Sequence, residues 1–371
     1  DQLVADFRQA LATRSARVTP LARQLDDKLM APLRPHLQDV DHLLLSPDSQ
    51  LNLIPFAALI DEQDQYLIES FQLTYLTSGR DLLRMQLDRE SQQGPVILAD
   101  PDYQTPGSTA PVEIASAPRS QGGGAGLRAA TNQRSVDSTQ LTFTPLPGTA
   151  EEAEAIAPLL PNATVLTQTQ ATENVLKQLQ APSILHIATH GFFLEDVEFF
   201  VPPNPNNRSA SWDTTFIDRP AQVTPSNLEN PLLRSGLALA GFNPRSSGSE
   251  DGVLTALEAS GLNLYGTQLV VLSACETGVG SVSTGEGVYG LRRAFVTAGA
   301  ESQLMSLWQV DDYGTSELMQ LYYENLMEKG QGRSEALHNA QLELLNTGTY
   351  QHPFYWASFI FSGDWTPIDE N

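Results

Sequence analysis

Two segments of this 371-residue chain end in side chains that together could make a nucleophile and its base. SILHIATHG (183–191) runs through apolar and β-branched residues to His190 and Gly191. QLVVLSAC (268–275) does the same and ends in Cys275, the only cysteine present. Each apolar run reads as a buried strand, and the small, polar, glycine-rich residues after Cys275 read as a loop. A thiol is a poor nucleophile until it loses its proton, and an adjacent imidazole supplies the base. The two residues are distant in sequence, but parallel neighbouring strands deliver their ends to one edge of a sheet, where reacting groups gather in doubly wound folds. Gly191 lets backbone approach closely, and its N–H with that of Cys275 could receive an oxyanion. A free cysteine at a strand end can equally be a small buried hydrophobe, and a lone histidine a core residue. Their placement at equivalent strand ends favours a working pair.

Two other patterns invite chemistry. His186 and His190 form H-x-x-x-H, a metal-ligand spacing on a helix, but on a strand the side chains stand ~13 Å apart, too far for one ion. His186 is therefore expected in the core or behind the pair. GEGVYG (285–290) fits G-x-G-x-x-G before a helix, with Asp311 further on, but a dinucleotide fingerprint must follow directly on the first strand. A loop leading into a helix is the better reading.

The elements that must hold the pair can be read in outline. Residues 1–38 carry apolar residues at helical spacing, with Pro32 and Pro35 ending the run. DHLLLSPDSQLNLIPFAALI, two apolar runs about a Pro-Asp-Ser turn, predicts a hairpin. GPVILADP predicts a strand. Residues 104–144, rich in Pro, Gly, Ser, Thr and Ala, predict a flexible linker or surface loop that divides the chain. Beyond it, helices and strands alternate: GTAEEAEAIAPLL as a helix capped by Thr149, ATVL a strand, ENVLKQLQ a helix, then SILHIAT. After a long polar excursion (195–250) come the LTALEASGL helix, QLVVLSA, the VYGLRRAFVTAG helix, the SQLMSLWQV strand, two amphipathic helices and FYWASFIFSG as a last strand. This alternation predicts an α/β, doubly wound, mostly parallel sheet flanked by helices.

Composition narrows the function classes. Twenty-one basic against 44 acidic residues give a net charge of −23. Phosphate backbones are repelled by such a surface, so nucleic acid is not an expected partner, whereas basic peptides are attracted. No apolar run reaches the ~20 residues of a membrane helix, and no secretory signal is visible. One cysteine makes no internal disulfide, and cytoplasm is the default expectation. The chain opens with Asp1, as a fragment or processed form would.

HIATHGFF, PLLRSGLALAG, DGVLTALEASGLNLYGTQLVVLSACETGVG, GEGVYGLRRAFVTAGA, SLWQVDD and HPFYWASFIFSGDW together resemble the CHAT domain family. The similarity extends upstream through DHLLLSPDSQLNLIPFAALI and PVILADPDY and omits only 104–144. It implies a cysteine peptidase of the caspase, metacaspase and separase clan, usually found after tetratricopeptide repeats. Its dyad histidine matches His190 and its SACETG nucleophile Cys275. It implies a degenerate caspase-like supporting half, residues 1–145, before a catalytic part, 146–371. SLWQVDD is similar to the separase strand whose acids receive a P1 arginine, which makes Asp312, with Asp311, candidates for the S1 pocket. A helix cap near Thr315 is the equal alternative for these acids. Glu276, beside the thiol, can simply be solvated. The implied partners are a protein or peptide substrate and upstream repeats or a regulatory protein; no cofactor or metal is implied, and no calcium-loop spacing occurs. A catalytically silent scaffold and a nucleotide-binding protein are the rival readings.

Overall fold

A computed structural model of the chain describes residues 2–87, 89–114, 141–194, 230–276, 286–308 and 312–369; Cys275, Glu276 and Asp312 enter below by backbone position. The strands are β1 (His42–Leu45), β2 (Gln72–Tyr75), β3 (Val96–Pro101), β4 (Thr164–Gln168), β5 (Ile184–Phe193), β6 (Ser235–Ala238), β7 (Val253–Thr255), β8 (Leu269–Glu276), β9 (Ser302–Ser306) and β10 (Phe359–Gly363). The helices are α1 (Gln2–Ala12), α2 (Val18–Leu29), α3 (Leu67–Ser70), α4 (Asp81–Arg84), α5 (Pro147–Ile156), α6 (Glu173–Leu176), α7 (Ala256–Ala259), α8 (Glu286–Ala298), α9 (Asp312–Tyr323), α10 (Arg333–Asn346) and α11 (Pro353–Trp356).

The ten strands among the described residues join one sheet in the order β1-β2-β10-β9-β8-β5-β3-β4, with β6 and β7 attached beyond the end of β5. The pairs β9–β8, β8–β5, β5–β3 and β3–β4 are parallel, while β10 runs antiparallel to β9. The order in which strands are added reverses at β3, since β4 lies on one side of it and β5, β8 and β9 follow on the other. Such a reversal opens a crevice at the carboxyl ends of the strands on either side, here β3 and β5. The central strands are apolar almost throughout because both faces are covered. Through Glu152 and Tyr323, α5 and α9 pack on the face that carries His186. The opposite face meets α8, where Gln303 on β9 bonds the Arg292 carbonyl.

The mixed α/β architecture with a mostly parallel sheet is the expected one, but several elements differ. The predicted hairpin is absent: β1 pairs in parallel with β2, which the sequence reading passed over. The second apolar run instead folds as 3-10 turns over Ser49–Leu53 and Phe56–Ala58. Tyr75 of β2 holds this segment, donating to the Ile54 carbonyl (3.0 Å) and accepting from Phe56 N–H (2.9 Å). Thr149 is not a cap. Pro147, with its preset φ and missing N–H, starts α5 two residues earlier. The Thr149 hydroxyl donates to the Leu146 carbonyl and accepts from Asp100 N–H on β3. The first half of FYWASFIFSG is the helical turn α11, capped by His352 Nδ1 on Phe354 N–H. LTALEASGL begins as β7 before its helical turn.

Residues 115–140 of the predicted linker lie outside the described residues, as do 195–229 of the polar excursion. The linker's two ends, however, are packed. Gly107 N–H bonds Ser246 O, and a Cβ there would stand 2.7 Å from the Thr172 side chain. Leu141 and Phe143 join a small apolar cluster with Tyr103, Phe192 and Phe242. Residues before 145 supply β1, β2 and β3 to the sheet they share with later strands, so the boundary at 145 runs through one sheet. No helix among the described residues is long and apolar enough to cross a membrane.

Arg333 at the start of α10 ties the amino ends of β8 and β9 to the segment after β10. Its buried guanidinium donates to Gln268 O (2.7 Å) and Thr366 O (2.8 Å), and faces Glu301 at 3.4 Å and Asp364 at 3.2 Å. Burial raises the Glu301 carboxyl above its ordinary range, against the pull of Arg333. A carboxyl raised by folding is an asset while it stays protonated, and the asset is lost as pH rises through its folded value. Replacing Arg333 by methionine removes the cation and leaves both carboxylates facing each other. The variant is expected to lose about 3 kcal/mol of unfolding free energy at pH 8 in urea titrations. The deficit should shrink as pH falls through the raised Glu301 value, because the protonated carboxyl no longer needs the cation.

Candidate active site

The geometry of the site begins with strand register. β5 and β8 pair in parallel from Ile184↔Leu269 to Gly191↔Glu276, and within this ladder His190 stands directly beside Cys275. Partners across a parallel ladder are ~4.8 Å apart and project from the same face. β9 lies on the far side of β8, and α9 begins after it at Asp312. The carboxyl ends of three adjacent parallel strands thus bring the predicted histidine, the predicted cysteine and the chain that leads to Asp312 to one edge. α9 includes Asp312 as its first residue, so the helix begins earlier than the expected start near Thr315; Asp311 lies outside the described residues. Gly191 is inside β5 and pairs with Glu276 on one side and Leu237 of β6 on the other.

His190 is only 5% exposed and is gripped from several directions. Its Nε2 lies 2.9 Å from the carbonyl oxygen of Thr144. A carbonyl can only accept, so Nε2 is the protonated nitrogen and the neutral ring carries its basic lone pair on Nδ1. The ring stacks on Phe143, with centroids 4.7 Å apart and planes at 22°, and meets Tyr103 at 5.2 Å. Tyr103, just past the end of β3, takes the His190 backbone N–H on its hydroxyl at 3.3 Å and bonds Thr189 Oγ1 at 2.9 Å. Asn243 fixes Phe143 by a reciprocal pair of bonds, Phe143 N–H to Oδ1 (3.0 Å) and Nδ2 to Phe143 O (2.9 Å). The imidazole is therefore held in one orientation and one tautomer at the crevice between β3 and β5.

None of these holding residues was foreseen. Tyr103 and Phe143 were visible as aromatics at the borders of an aromatic-poor stretch, which was the available signal. Thr144 acts through its backbone carbonyl, and side-chain identity carries no trace of that.

The remaining candidates separate from the pair. His186 is fully buried, with Nδ1 3.1 Å from the Tyr323 hydroxyl and Nε2 3.0 Å from Glu152 Oε1. Its nitrogens serve the core, and it shares no ligand position with His190. In GEGVYG, Glu286 to Gly290 already lie in α8, whereas β3 is the strand a dinucleotide loop would have to follow. Among the described residues one carboxylate cluster has the spacing of a metal site: Glu173, Glu250 and Glu258. Its centre is taken by the Lys177 ammonium, at 2.7, 3.0 and 2.9 Å from the three. Burial, reinforced by Glu258, pushes the Glu173 carboxyl up to about 8. Burial alone would favour the neutral amine of Lys177, but Glu173 and Glu258 outweigh it and keep it charged.

The CHAT domain model matches residues 19–364. The chain is 27% identical over 357 residues to Tetratricopeptide repeat protein 28 of Homo sapiens, and 25% identical to the Mus musculus protein, covering 94% and 93% of this chain. It spans only 13% of the length of each. Among solved structures, the Arg-specific cysteine proteinase gingipain R aligns over 95% of this chain and 69% of its own, with 9% identity and a TM-score of 0.46. Separase in the Saccharomyces cerevisiae separase–securin complex aligns over 87% of this chain and 16% of its own, with 11% identity and a TM-score of 0.41. The matched span runs from α2 through β10 and takes in both His190 and Cys275, and the chain belongs to the CHAT domain family.

Proposed function

We propose that this chain is a cysteine endopeptidase module acting through His190 and Cys275. The observation that carries the reading is the pairing of His190 with Cys275 at the ends of adjacent parallel strands, with His190 Nε2–H anchored on Thr144 O. In the first step His190 Nδ1 takes the Cys275 thiol proton and the sulfur attacks the scissile carbonyl carbon, forming an S–C bond and an oxyanion. Collapse of this intermediate breaks the C–N bond, and the leaving amine takes the proton from His190. Water, deprotonated by the same nitrogen, then attacks the thioester, and the departing sulfur recovers its proton. The Thr144 carbonyl orients the base and stabilises the imidazolium through its N–H, the part a third residue plays in nucleophile–base systems. No step calls on a cofactor.

The N–H groups of Cys275 and Gly191 are the assigned oxyanion donors. Gly191 is flanked by β8 and β6, and a strand residue directs its N–H toward one neighbour. For this N–H to meet an oxyanion, the last residues of β5 must part from that neighbour when substrate binds. Arginine is the favoured P1 residue, with Asp312, and Asp311 beside it, gripping the guanidinium in a paired hydrogen bond. The net charge of −23 would speed encounter with basic peptides. The relatives are named for tetratricopeptide repeats, and such repeats upstream of this module would present substrate to it or gate it.

A peptide library varied at P1 tests the reading. Cleavage after arginine is expected, abolished in Cys275→Ala and lowered by at least about a hundredfold in His190→Ala. Cleavage that persists in Cys275→Ala, or its absence even when the upstream repeats are supplied, would reverse the assignment in favour of a scaffold. Asp312→Asn is expected to raise KM for arginyl peptides while leaving kcat nearly unchanged, because the lost contact is present in ground state and transition state alike. Phe143→Leu, which removes the stacked ring, should instead lower kcat, by about tenfold, with little change in KM.

A further inference from the structure

A buried polar chain runs behind the pair, on the face of the sheet to which the register assigns positions 190 and 275. Glu152 of α5, 2% exposed, accepts from the Ser273 hydroxyl on Oε2 at 2.8 Å and meets His186 Nε2 with Oε1 at 3.0 Å. His186 Nδ1 lies 3.1 Å from the Tyr323 hydroxyl at the end of α9. Burial holds the Tyr323 phenol well above its ordinary range, so it is a neutral hydroxyl that can donate to Nδ1. Tyr323 O–H can donate to His186 Nδ1 and Ser273 O–H donates to Glu152 Oε2, while Glu152 Oε1 faces His186 Nε2 at 3.0 Å, so the chain ends on one carboxyl group.

Two strands meet at this carboxylate, and they are the two that matter. Ser273 precedes Cys275 by two residues on β8, and His186 precedes His190 by four on β5, so all four share one face. The helix that carries Glu152 starts at Pro147, directly after the segment whose Thr144 carbonyl holds His190. Simple core filling does not require such an arrangement, since apolar side chains of similar volume stabilise a core as well as a buried charged pair or better.

Resting on the peptidase reading, we infer that Glu152 is a positioning residue for that pair: it spans β5 and β8 and seats α5, and so fixes the approach of His190 Nδ1 to the Cys275 thiol. Removing the bridge leaves the fold standing and loosens the pair.

The test uses the full chain and iodoacetamide, whose alkylation reports Cys275 alone because no other cysteine is present. Sulfur attacks the methylene carbon, iodide leaves and His190 retains the thiol proton. Glu152→Met, which fills the space without the bridge, is expected to slow alkylation by about tenfold or more, toward the rate of His190→Ala, with near-UV circular dichroism unchanged. Glu152→Gln keeps an acceptor for His186 and a donor for Ser273 and should restore the rate to within about threefold of wild type. Ser273→Ala, which cuts only the β8 arm, should slow it as well. Wild-type alkylation in Glu152→Met with slow alkylation in His190→Ala would overturn this inference and leave the peptidase reading intact. Equal rates in wild type and His190→Ala would overturn both. Should Glu152→Met fail to fold, Ser273→Ala decides, and a wild-type rate there rejects the positioning role.

Discussion

The parallel pairing of β5 with β8 is the constraint on which the rest of this structure depends. A strand alternates its side chains between faces, so a slip of one residue in this ladder would turn His190 and Cys275 to opposite sides of the sheet. Eight consecutive paired positions, from Ile184↔Leu269 to Gly191↔Glu276, prevent that slip. Seven of these sixteen residues are Leu, Ile or Val, and those described are buried, so the register is fixed by apolar surface that has only one place to go.

Side chains secure these strands and their neighbours at three levels. At the amino end, Arg333 gathers Gln268, Glu301 and Asp364 and locks β8 to β9. In the middle, Glu152 spans Ser273 and His186. At the carboxyl end, Tyr103, Phe143 and the Thr144 carbonyl enclose the imidazole. These levels differ in kind. The lower two are buried ionic or hydrogen-bonded groups whose partners would be costly to strand, whereas the upper one is an aromatic cluster that confines a single ring.

The sequence announced this site wherever burial and chemistry coincide. Apolar β-branched runs ending in His190 and Cys275 were legible because a strand buried on both faces has little room for polar residues until it leaves the core. Helical spacing revealed α2, α8 and α10 for similar reasons. What was illegible depended on partners remote in the chain. The run after Pro47 has the composition of a strand, but Tyr75 gives its backbone polar groups another partner, and it turns instead. Pro147 overrides Thr149 at the start of α5 by fixing φ before any cap is needed. Phe143 and Thr144 sit at the end of a stretch whose composition promises little burial; one aromatic ring reached a cluster, and the other contact uses backbone. Glu152 is one of three acids in GTAEEAEAI, and nothing in that run singles it out for burial until α5 packs on the sheet.

The central claim is that His190 addresses Cys275 through Nδ1 while Thr144 O retains Nε2–H. A crystal structure of the protein reacted with an arginyl peptide aldehyde tests it most directly, since the aldehyde carbon forms a reversible thiohemiacetal with a catalytic sulfur. The account predicts an adduct on Cys275, with His190 Nδ1 about 3 Å from the adduct and Nε2 still on the Thr144 carbonyl. An adduct faced by Nε2, with the Thr144 bond broken, or a bound aldehyde that leaves Cys275 unmodified, would contradict it.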